Sequence, residues 1–375
     1  MKRIILDGMA IRPGGRGVAR VLKQVLPLLA RRTGKSEYVI VTSDEGRDAL
    51  PSSLDVATAP LMPMSIWEQF GLPEYARRLG ATAVYSYAEC GPMWGPPVVM
   101  NVPEDPHIRW AFSPVDTRKE HLRRAYQRFT MRRSVLRSPL VITSSHAVAD
   151  QLARRFGHSL PMNKVVPLGV DTSIFHPDPT QPREDAVFHL GGEARDQSVL
   201  VVQAYARALQ LGANLPDLAL AGNLGPFARR VHQEAHTLKL ENRVHLLGRL
   251  SDEDLRSHYA NAALCVQPSI YEGFGLQPLE ALACGAALIV SAEPAVEEVV
   301  QGAAAVVPQQ DAREHLAIVM ATLWSDTADR RRLRYKALTR SRDYSWENTA
   351  HALHALLQTL PEHPRGKYKR SGSAP

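Results

Sequence analysis

Short apolar runs rich in β-branched residues alternate along the chain with longer segments whose pattern is amphipathic or charged. This alternation is typical of parallel strands joined by crossover helices. The predicted strands are 4–7, 38–42, 83–87, 98–102 and 140–143 in the first half, and 187–190, 218–221, 244–247, 264–267 and 288–291 in the second. We therefore predict an α/β protein with two doubly wound parallel sheets.

A stretch rich in proline and polar residues, 171–183, has neither period and is interpreted as the linker between two domains. The predicted domains are 1–170 and 171–344. A last helix is predicted at 345–360, because Ser345 can cap it and Glu347 suits its first turn. The basic tail 361–375 is expected to be flexible.

Size and composition agree with two soluble domains. The chain has 375 residues, 45% hydrophobic and 22% charged. It contains no apolar run of the roughly 20 residues that span a bilayer, and its start turns polar too soon for a signal peptide. Its three cysteines are far apart, which argues against a disulfide framework or zinc cluster. We expect a cytoplasmic protein.

The net charge of +7 favours an anionic partner, such as a phosphorylated substrate, a lipid headgroup or nucleic acid. Residues 118–137 hold eight basic residues, with Leu122, Tyr126, Phe129 and Leu136 among them. Two interpretations stay open for this predicted helix: peripheral contact with the inner membrane face, or a solvated helix that packs one apolar stripe. Nucleic-acid binding is not expected, because the sequence has none of the usual motifs.

The most informative segment is 267–285, in which a strand end, a glycine-bearing loop and a helix opening near Pro278 follow one another. The loop amides and the helix start form an anion site. Glu272 can accept hydrogen bonds from sugar hydroxyls, and Glu280 can bind a diol such as ribose. Alternatively, Glu280 complements the helix dipole and Glu272 is a solvated carboxylate.

This segment closely resembles the signature of the retaining GT-B glycosyltransferases of the sucrose-synthase and mannosyltransferase type, glycosyltransferase family 4, where two glutamates flank seven residues. The resemblance extends to 166–171, to 244–255 and to 344–347. It implies two Rossmann-like domains facing a cleft, with the donor on the second domain and the acceptor on the first. It also implies a nucleotide diphosphate sugar as donor, transfer with retention, and neither metal nor cofactor.

By the same resemblance, Glu272 holds hydroxyls of the transferred sugar and is the candidate catalytic residue, while Glu280 holds the ribose. The remaining donor-binding candidates are the three glycines of a loop after the first strand and residues of the second domain: Gly14, Gly15, Gly17, Gly192, Arg195, Gly273, Phe274, Gly275 and Leu276. For the glycine loop, a simple strand-to-helix turn stays an alternative.

The sequence departs from the family pattern at two places. Asp196 stands where relatives carry a lysine that neutralises the donor diphosphate, so that Arg195 is the cation expected there. After strand 98–102, where relatives show a histidine followed by a carboxylate, the polar candidates on the acceptor or sugar side are Glu104, Asp105 and His107. A surface turn explains these three residues equally well.

The leading hypothesis is a retaining, metal-independent transferase that moves a hexose-type sugar from a nucleotide diphosphate sugar to an acceptor that the sequence does not identify. Asp196 and the missing histidine motivate a first alternative, a catalytically impaired nucleotide-sugar-binding protein. A second alternative is a sugar-nucleotide epimerase on the same two-domain scaffold. The sequence leaves the sugar, the nucleobase and the oligomeric state open.

Overall fold

The computed structural model describes residues 2–32, 34–112, 117–160, 162–178, 185–223 and 225–361. The chain divides into two compact units. Unit 1 combines the residues up to Gly169 with the segment that begins at Trp346, and unit 2 runs from Val170 to Ser345. The predicted bounds at 170/171 and 344/345 lie within one residue of these divisions. Residues 179–183 of the expected linker and 362–375 of the expected tail lie outside the described residues.

Unit 1 is built on a seven-stranded sheet whose described pairs are all parallel. Its strands are β1 (Lys2–Asp7), β2 (Ser36–Thr42), β3 (Val56–Thr58), β4 (Ala83–Tyr87), β5 (Val98–Val102), β6 (Val141–Thr143) and β7 (Asn163–Val165). They lie in the order β3-β2-β1-β4-β5-β6-β7, so the sheet grows outward in both directions from β1. The carboxyl ends of all seven strands therefore share one edge.

The helices of unit 1 connect these strands and cover the sheet. They are α1 (Val18–Ala30), α2 (Asp44–Asp48), α3 (Met64–Ile66), α4 (Leu72–Arg78), α5 (Pro106–Ala111), α6 (Arg118–Arg137) and α7 (His146–Phe156), with a π-helical turn, Trp67–Gly71, between α3 and α4. The core includes the fully buried side chains of Ile5, Val84, Met100 and Met131. Because apolar burial is the main stabilising term, this core holds the loops at the strand ends in place.

Unit 2 repeats the arrangement with six parallel strands. They are β8 (Val187–Leu190), β9 (Leu218–Ala221), β10 (Val244–Gly248), β11 (Leu264–Gln267), β12 (Leu288–Ser291) and β13 (Ala305–Val307). Their order is β10-β9-β8-β11-β12-β13. The direction of winding reverses between β8 and β11, and the loops that follow these two strands leave the sheet on opposite faces with a crevice between them.

The helices of unit 2 lie on both faces of its sheet. They are α8 (Ser198–Gln210), α9 (Pro226–Thr237), α10 (Asp252–Asn261), α11 (Leu276–Ala283), α12 (Pro294–Val300), α13 (Ala312–Ser325) and α14 (Thr327–Ser341). The core under α8 and α13 includes the fully buried Val201, Tyr205, Leu218, Ile289 and Leu316. A bridge between Val170 and Ser345 joins the first and last residues of unit 2.

The last helix, α15 (Trp346–Gln358), belongs to unit 1 and packs against α1. Its His354 Nδ1 lies 2.8 Å from the hydroxyl of Tyr38 on β2. The helix was predicted at 345–360, so it begins one residue later and ends two residues earlier than expected. None of the described helices is long and apolar enough to cross a bilayer.

The predicted α/β fold with two parallel sheets is confirmed, and all ten predicted strands occur with ends within two residues of the prediction. The sequence analysis missed β3, β7 and β13. Each of these has three residues and lies at an edge of its sheet, where its side chains are partly exposed. An edge strand is buried on fewer sides, so it lacks the apolar run that identifies a central strand.

Candidate functional site

The crevice between β8 and β11 is where a ligand of a doubly wound sheet is expected. The two strands are neighbours, with Leu264 opposite Val187. Their following loops are tied together, because the N–H of Ile270 donates to the carbonyl of Arg195 over 3.0 Å. The buried His189 lies 2.8 Å from the carbonyl of Val266, and burial lowers the pKa of His189 to about 4. A neutral histidine therefore fixes the end of β8.

Arg195 is brought together with Glu272, as the resemblance implied for the donor site. Its Nη1 lies 4.0 Å from Oε2 of Glu272, and its Nε lies 3.1 Å from Oε2 of Glu193. The cation thus faces carboxylates from both loops of the crevice. An anionic ligand that entered here would compete with these carboxylates for the guanidinium, which is geometrically suited to phosphate.

Asp196 is directed toward its own loop. The side chain is 4% exposed, and its Oδ2 accepts the N–H of Glu193 over 2.8 Å in a reciprocal capping box. Burial, helped by the charge of Glu272, raises the pKa of Asp196 to about 7. The residue at the position of the expected lysine therefore holds the turn before α8, and burial favours its uncharged form.

Glycines pack closely at the carboxyl ends of the neighbouring strands β8 and β9. Gly222 has φ of 113°, and a Cβ placed there would lie 1.8 Å from the carbonyl oxygen of Gly191. Its N–H donates to the carbonyl of Gly248 over 2.7 Å. At Gly192, by contrast, a Cβ would meet its nearest atom at 3.6 Å. Close backbone packing thus requires Gly222, which the sequence analysis did not single out.

The loop after β11 leads directly into α11. Gly275 has φ of 101° and is the N-cap, so the helix begins at Leu276, and the predicted start near Pro278 is wrong by two residues. Proline tolerates any position in the first turn, so its place does not fix the first residue. Phe274 is buried, with its ring 5.8 Å from that of Tyr344. The backbone of Gly273, Phe274 and Gly275 therefore lines the approach to the helix N-terminus.

The two glutamates of the motif are both shielded from solvent. The side chain of Glu272 is 14% exposed and faces Arg195, which contradicts a solvated loop carboxylate. Glu280 lies in α11, one turn beyond Leu276, and is buried. Burying a carboxylate is costly unless it is paired or hydrogen-bonded, so Glu280 is more than a surface charge near a helix end.

Sequence reasoning missed Glu293, which lies at the end of β12. This buried carboxyl accepts hydrogen bonds from the N–H of Val296 and from the backbone of Glu272. Burial raises the pKa of Glu293 to about 7. The available signal was the Glu-Pro pair after a strand, which is typical of a helix cap. That pattern predicts the bond to α12 but not the one to the loop of Glu272.

The other predicted donor residues, Gly14, Gly15 and Gly17, lie in unit 1 between β1 and α1. Gly14 and Gly17 have φ of 63° and 58°, and a Cβ on Gly15 would lie 2.6 Å from Cβ of Ala19. The strand-to-helix turn itself therefore requires these glycines. Their role toward a donor phosphate stays a prediction.

The acceptor-side candidates in unit 1 take two different roles. Asp105 caps α5 by accepting the N–H of His107 over 3.0 Å, and it pairs with Arg155 over 2.7 Å. Both contacts hold the start of α5 in place, so Asp105 has a structural role. Burial lowers the pKa of His107. Glu104 instead contacts the guanidinium of Arg109, which also lies 2.8 Å from Glu89.

Glu104 belongs to a group of acids at the carboxyl edge of the unit 1 sheet, here called the acid edge. Its members are the buried Asp7 and Glu104 and the partly buried Glu68 and Glu89. Burial raises the pKa of Glu68 to about 8 and also raises that of Glu89. Asp7 accepts from the indole N–H of Trp67 and the hydroxyl of Ser86. The sequence signal for Asp7 and Glu89 was their place at or just after a predicted strand end.

Among the described residues, no group of three or more His, Cys, Asp or Glu side chains is placed to hold a metal ion. Asp252 and Asp254 spell the Asp-x-Asp pattern found in some metal sites, but they lie in the first turn of α10, where Ser251 Oγ caps the helix by accepting the N–H of Asp254 over 3.1 Å. Metal independence stays a prediction. Cys90, Cys265 and Cys284 are free and buried.

Comparison with known proteins finds a family match within unit 2. Residues 197–340 match the family described as Glycosyl transferases group 1. The chain is 31% identical over 241 residues to the MMP alpha-(1->4)-mannosyltransferase of Mycolicibacterium hassiacum, covering 62% of this chain and 57% of that protein. It is 42% identical over 124 residues to the serotype-specific mannosyltransferase WbdA of Escherichia coli, covering 32% of this chain and 15% of WbdA. The chain thus spans little more than half of one relative and a small part of the other.

Solved structures resemble the whole chain in fold. Sucrose-phosphate synthase from Thermosynechococcus elongatus has a TM-score of 0.76 at 20% identity, over 96% of this chain and 98% of that one. HepE from Anabaena, in complex with UDP and glucose, has a TM-score of 0.71 at 17% identity, over 96% and 100%. The chain therefore has the α/β fold of these proteins, residues 197–340 match the group 1 glycosyl transferases, and mannosyltransferases are among the proteins that the chain resembles in sequence.

Proposed function

We propose that the protein is a retaining, metal-independent glycosyltransferase that moves a hexose from a nucleoside diphosphate sugar to a hydroxyl group of an acceptor. The observation that carries this proposal is the meeting of Arg195 and Glu272 across the crevice of unit 2, beside the N-terminus of α11. Two of these groups, the cation and the helix N-terminus, suit the negatively charged diphosphate of such a donor. The third, the carboxylate, suits the hydroxyls of its sugar. The mannosyltransferase relatives favour mannose as the hexose.

In the proposed reaction the bond between the sugar C1 and the diphosphate oxygen breaks, and the electron pair leaves with the nucleoside diphosphate. A new bond forms between C1 and the acceptor oxygen, whose proton passes to the leaving diphosphate. Arg195 and the first amides of α11 stabilise the charge that develops on the leaving group. Glu272 orients the sugar through its hydroxyls, and Glu293 holds the backbone of Glu272.

The acid edge of unit 1 is the proposed acceptor side. Its carboxyl groups of Glu89 and Glu104, around Arg109, offer hydrogen-bond acceptors for the hydroxyls of a sugar or polyol. Glu104 keeps the polar role proposed from the sequence, while Asp105 and His107 act through the structure of α5. The identity of the acceptor stays open.

The test is donor turnover by the purified chain. Nucleoside diphosphate release from GDP-mannose and other sugar nucleotides is measured with and without EDTA, and products are identified by mass spectrometry. Glu272→Gln is expected to lower kcat/KM by about a hundredfold or more. Glu253→Gln, an exposed glutamate on α10, is the matched control and should keep full activity. Unchanged turnover in Glu272→Gln overturns the assignment.

Two further readouts separate the alternatives. The anomeric configuration of the product, followed by NMR, is expected to match that of the donor, and inversion would exclude the retaining mechanism. Donor binding without released nucleotide for any acceptor tested would favour the impaired binding protein that Asp196 suggested. Epimerised donor formed without acceptor would favour the epimerase.

A further inference from the structure

Large exposed apolar side chains are concentrated on one part of unit 1. Eight of them lie in three segments, 61–70, 93–94 and 122–129, and we call them the docking face: Leu61, Met64, Ile66, Phe70, Met93, Trp94, Leu122 and Phe129. The other large exposed apolar side chains of the described residues are scattered, with Met162 in unit 1 and Leu211, Val306, Ile318 and Tyr335 in unit 2. A concentration of exposed apolar side chains is a mark of interaction sites in folded proteins.

Hydrogen bonds show that the three segments are neighbours. The hydroxyl of Tyr126 on α6 lies 2.8 Å from Glu68 Oε2 and accepts from Gln69 Nε2 over 3.1 Å. Gln69 also binds the third segment, since its carbonyl accepts the indole N–H of Trp94 over 2.6 Å and its Oε1 accepts the N–H of Met93. Gln69 therefore joins α6, the π-helical turn and the 93–94 loop into one surface.

The outward side of α6 has an unusual composition for a solvated helix. Leu122 and Phe129 are 72% and 63% exposed, seven residues apart and hence on one side. The opposite side is buried through Thr130, Met131, Ser134 and Val135. The apolar stripe that packs on the sheet is thus a different one from the stripe that contains Leu122 and Phe129.

Cations surround these two apolar side chains. The exposed basic residues of α6 are Arg118, Lys119, Arg123, Arg128, Arg132, Arg133 and Arg137. The helix has one acid, Glu120, and it pairs with Arg123 and Arg124. The docking face therefore combines two properties: its apolar side chains are exposed to solvent, and α6 gives it a strong positive charge.

We propose that the docking face binds the surface of an anionic lipid bilayer, with Leu122 and Phe129 at headgroup depth and the arginines of α6 over lipid phosphates. Both terms of interfacial binding are present, namely apolar area and attraction to anionic lipid. A second copy of this chain fits less well, because a symmetric contact would bring the arginines of two α6 helices together. The inference does not depend on the proposed sugar transfer.

Binding is tested by sedimentation of the full chain with vesicles. Phosphatidylcholine vesicles that contain phosphatidylglycerol are expected to bind it, more weakly as salt rises, and vesicles of phosphatidylcholine alone to bind it at least about tenfold less. Leu122→Ser/Phe129→Ser should weaken binding about tenfold or more. Ile318→Ser/Tyr335→Ser, at exposed apolar positions of unit 2, is the matched control and should bind as the wild type does.

A second variant measures how deeply α6 enters the bilayer, and it keeps a large apolar side chain at position 129 so that the test does not depend on the double serine variant alone. Phe129→Trp is expected to add a blue-shifted fluorescence on anionic vesicles that brominated lipid quenches. No binding of the wild type to either vesicle at low salt would overturn the proposal. Equal binding by Leu122→Ser/Phe129→Ser would do the same, as would a wild-type dimer in light scattering that this variant dissociates.

Discussion

Glu293 and Glu272 are joined by a hydrogen bond from the backbone of Glu272 to the buried carboxyl of Glu293, across the loops that follow β12 and β11. The same carboxyl caps α12 through the N–H of Val296 over 3.0 Å. One buried acid thus fixes both the start of a helix and the loop that presents the proposed sugar-binding carboxylate. Its removal should act on turnover through position alone.

Glu293→Ala is therefore expected to lower kcat/KM for the donor about tenfold, because the loop of Glu272 loses its anchor. Glu293→Gln keeps a side-chain oxygen as acceptor and should retain most of the activity. Glu297→Ala, at an exposed position of the same helix, is the control. Initial rates of nucleoside diphosphate release measure all three, and equal loss in the Gln and Ala variants would show that the charge itself is needed.

The turn at Asp196 is expected to reject a lysine, the residue that the family resemblance predicts at this position. Asp196→Lys removes the acceptor for the N–H of Glu193 and buries an ammonium group, so unfolding free energy should fall by about 2–4 kcal/mol. Asp196→Asn keeps an acceptor oxygen and should stay within about 1 kcal/mol of the wild type. Urea unfolding distinguishes them. A stable Asp196→Lys variant with faster turnover would show that the turn accepts a lysine and that Asp196 is not needed to hold it.

Stability is predicted to fall between about pH 4 and pH 7. Burial raises the pKa of Asp196 and of Glu293 to about 7 in the folded chain, whereas unfolded carboxyl groups titrate near about 4. The folded chain keeps these protons longer, so their stabilising effect is complete below about pH 4 and is lost as the pH rises to about 7. Above that range these two groups add no further change.

Asp196→Asn/Glu293→Gln should remove that dependence. Between pH 5 and pH 8 the double variant is expected to lose about 5 kcal/mol less unfolding free energy than the wild type, because each of the two carboxyl groups contributes roughly half of that change. Urea unfolding at several pH values gives the difference directly. Parallel curves for the two proteins would mean that neither carboxyl is protonated in the folded state.

The close approach of Gly222 to Gly191 gives a prediction about backbone packing. Gly222→Ala is expected to cost about 3 kcal/mol or more, since its Cβ would overlap the carbonyl oxygen of Gly191. Gly302→Ala, with φ of 77° and no atom within 4 Å of the added Cβ, carries only the backbone strain and should cost about 1 kcal/mol. Urea unfolding compares them, and similar costs would show that the close approach of β8 and β9 relaxes easily.

Features encoded in contiguous sequence could be predicted, and features created by folding could not. The central strands could be predicted because a strand that is buried on both sides needs an unbroken apolar run. Glu272 and Glu280 could be predicted because one continuous loop and helix contain both. The edge strands β3, β7 and β13 are half exposed and lack that signal. Glu293 was missed because its partner Glu272 is far away in sequence and near only in the sheet.

Asp196 shows a second limit of sequence reasoning. The sequence predicted a departure from the family pattern at this position, but it did not predict the direction of the side chain, since a capping box depends on the local turn. Similarly, the basic composition of 118–137 was evident, whereas the exposure of Leu122 and Phe129 required knowing which side of α6 meets the sheet.

The packing of α15 on α1 makes unit 1 a product of both ends of the chain, while unit 2 is a continuous insertion closed by the bridge from Val170 to Ser345. On the ribosome, the inserted unit has all of its residues before the surrounding one does. Unit 1 must wait with the α1 surface uncovered until Trp346–Gln358 has been synthesised. We therefore expect unit 2 to complete its fold before unit 1 does, although unit 1 begins first in the sequence.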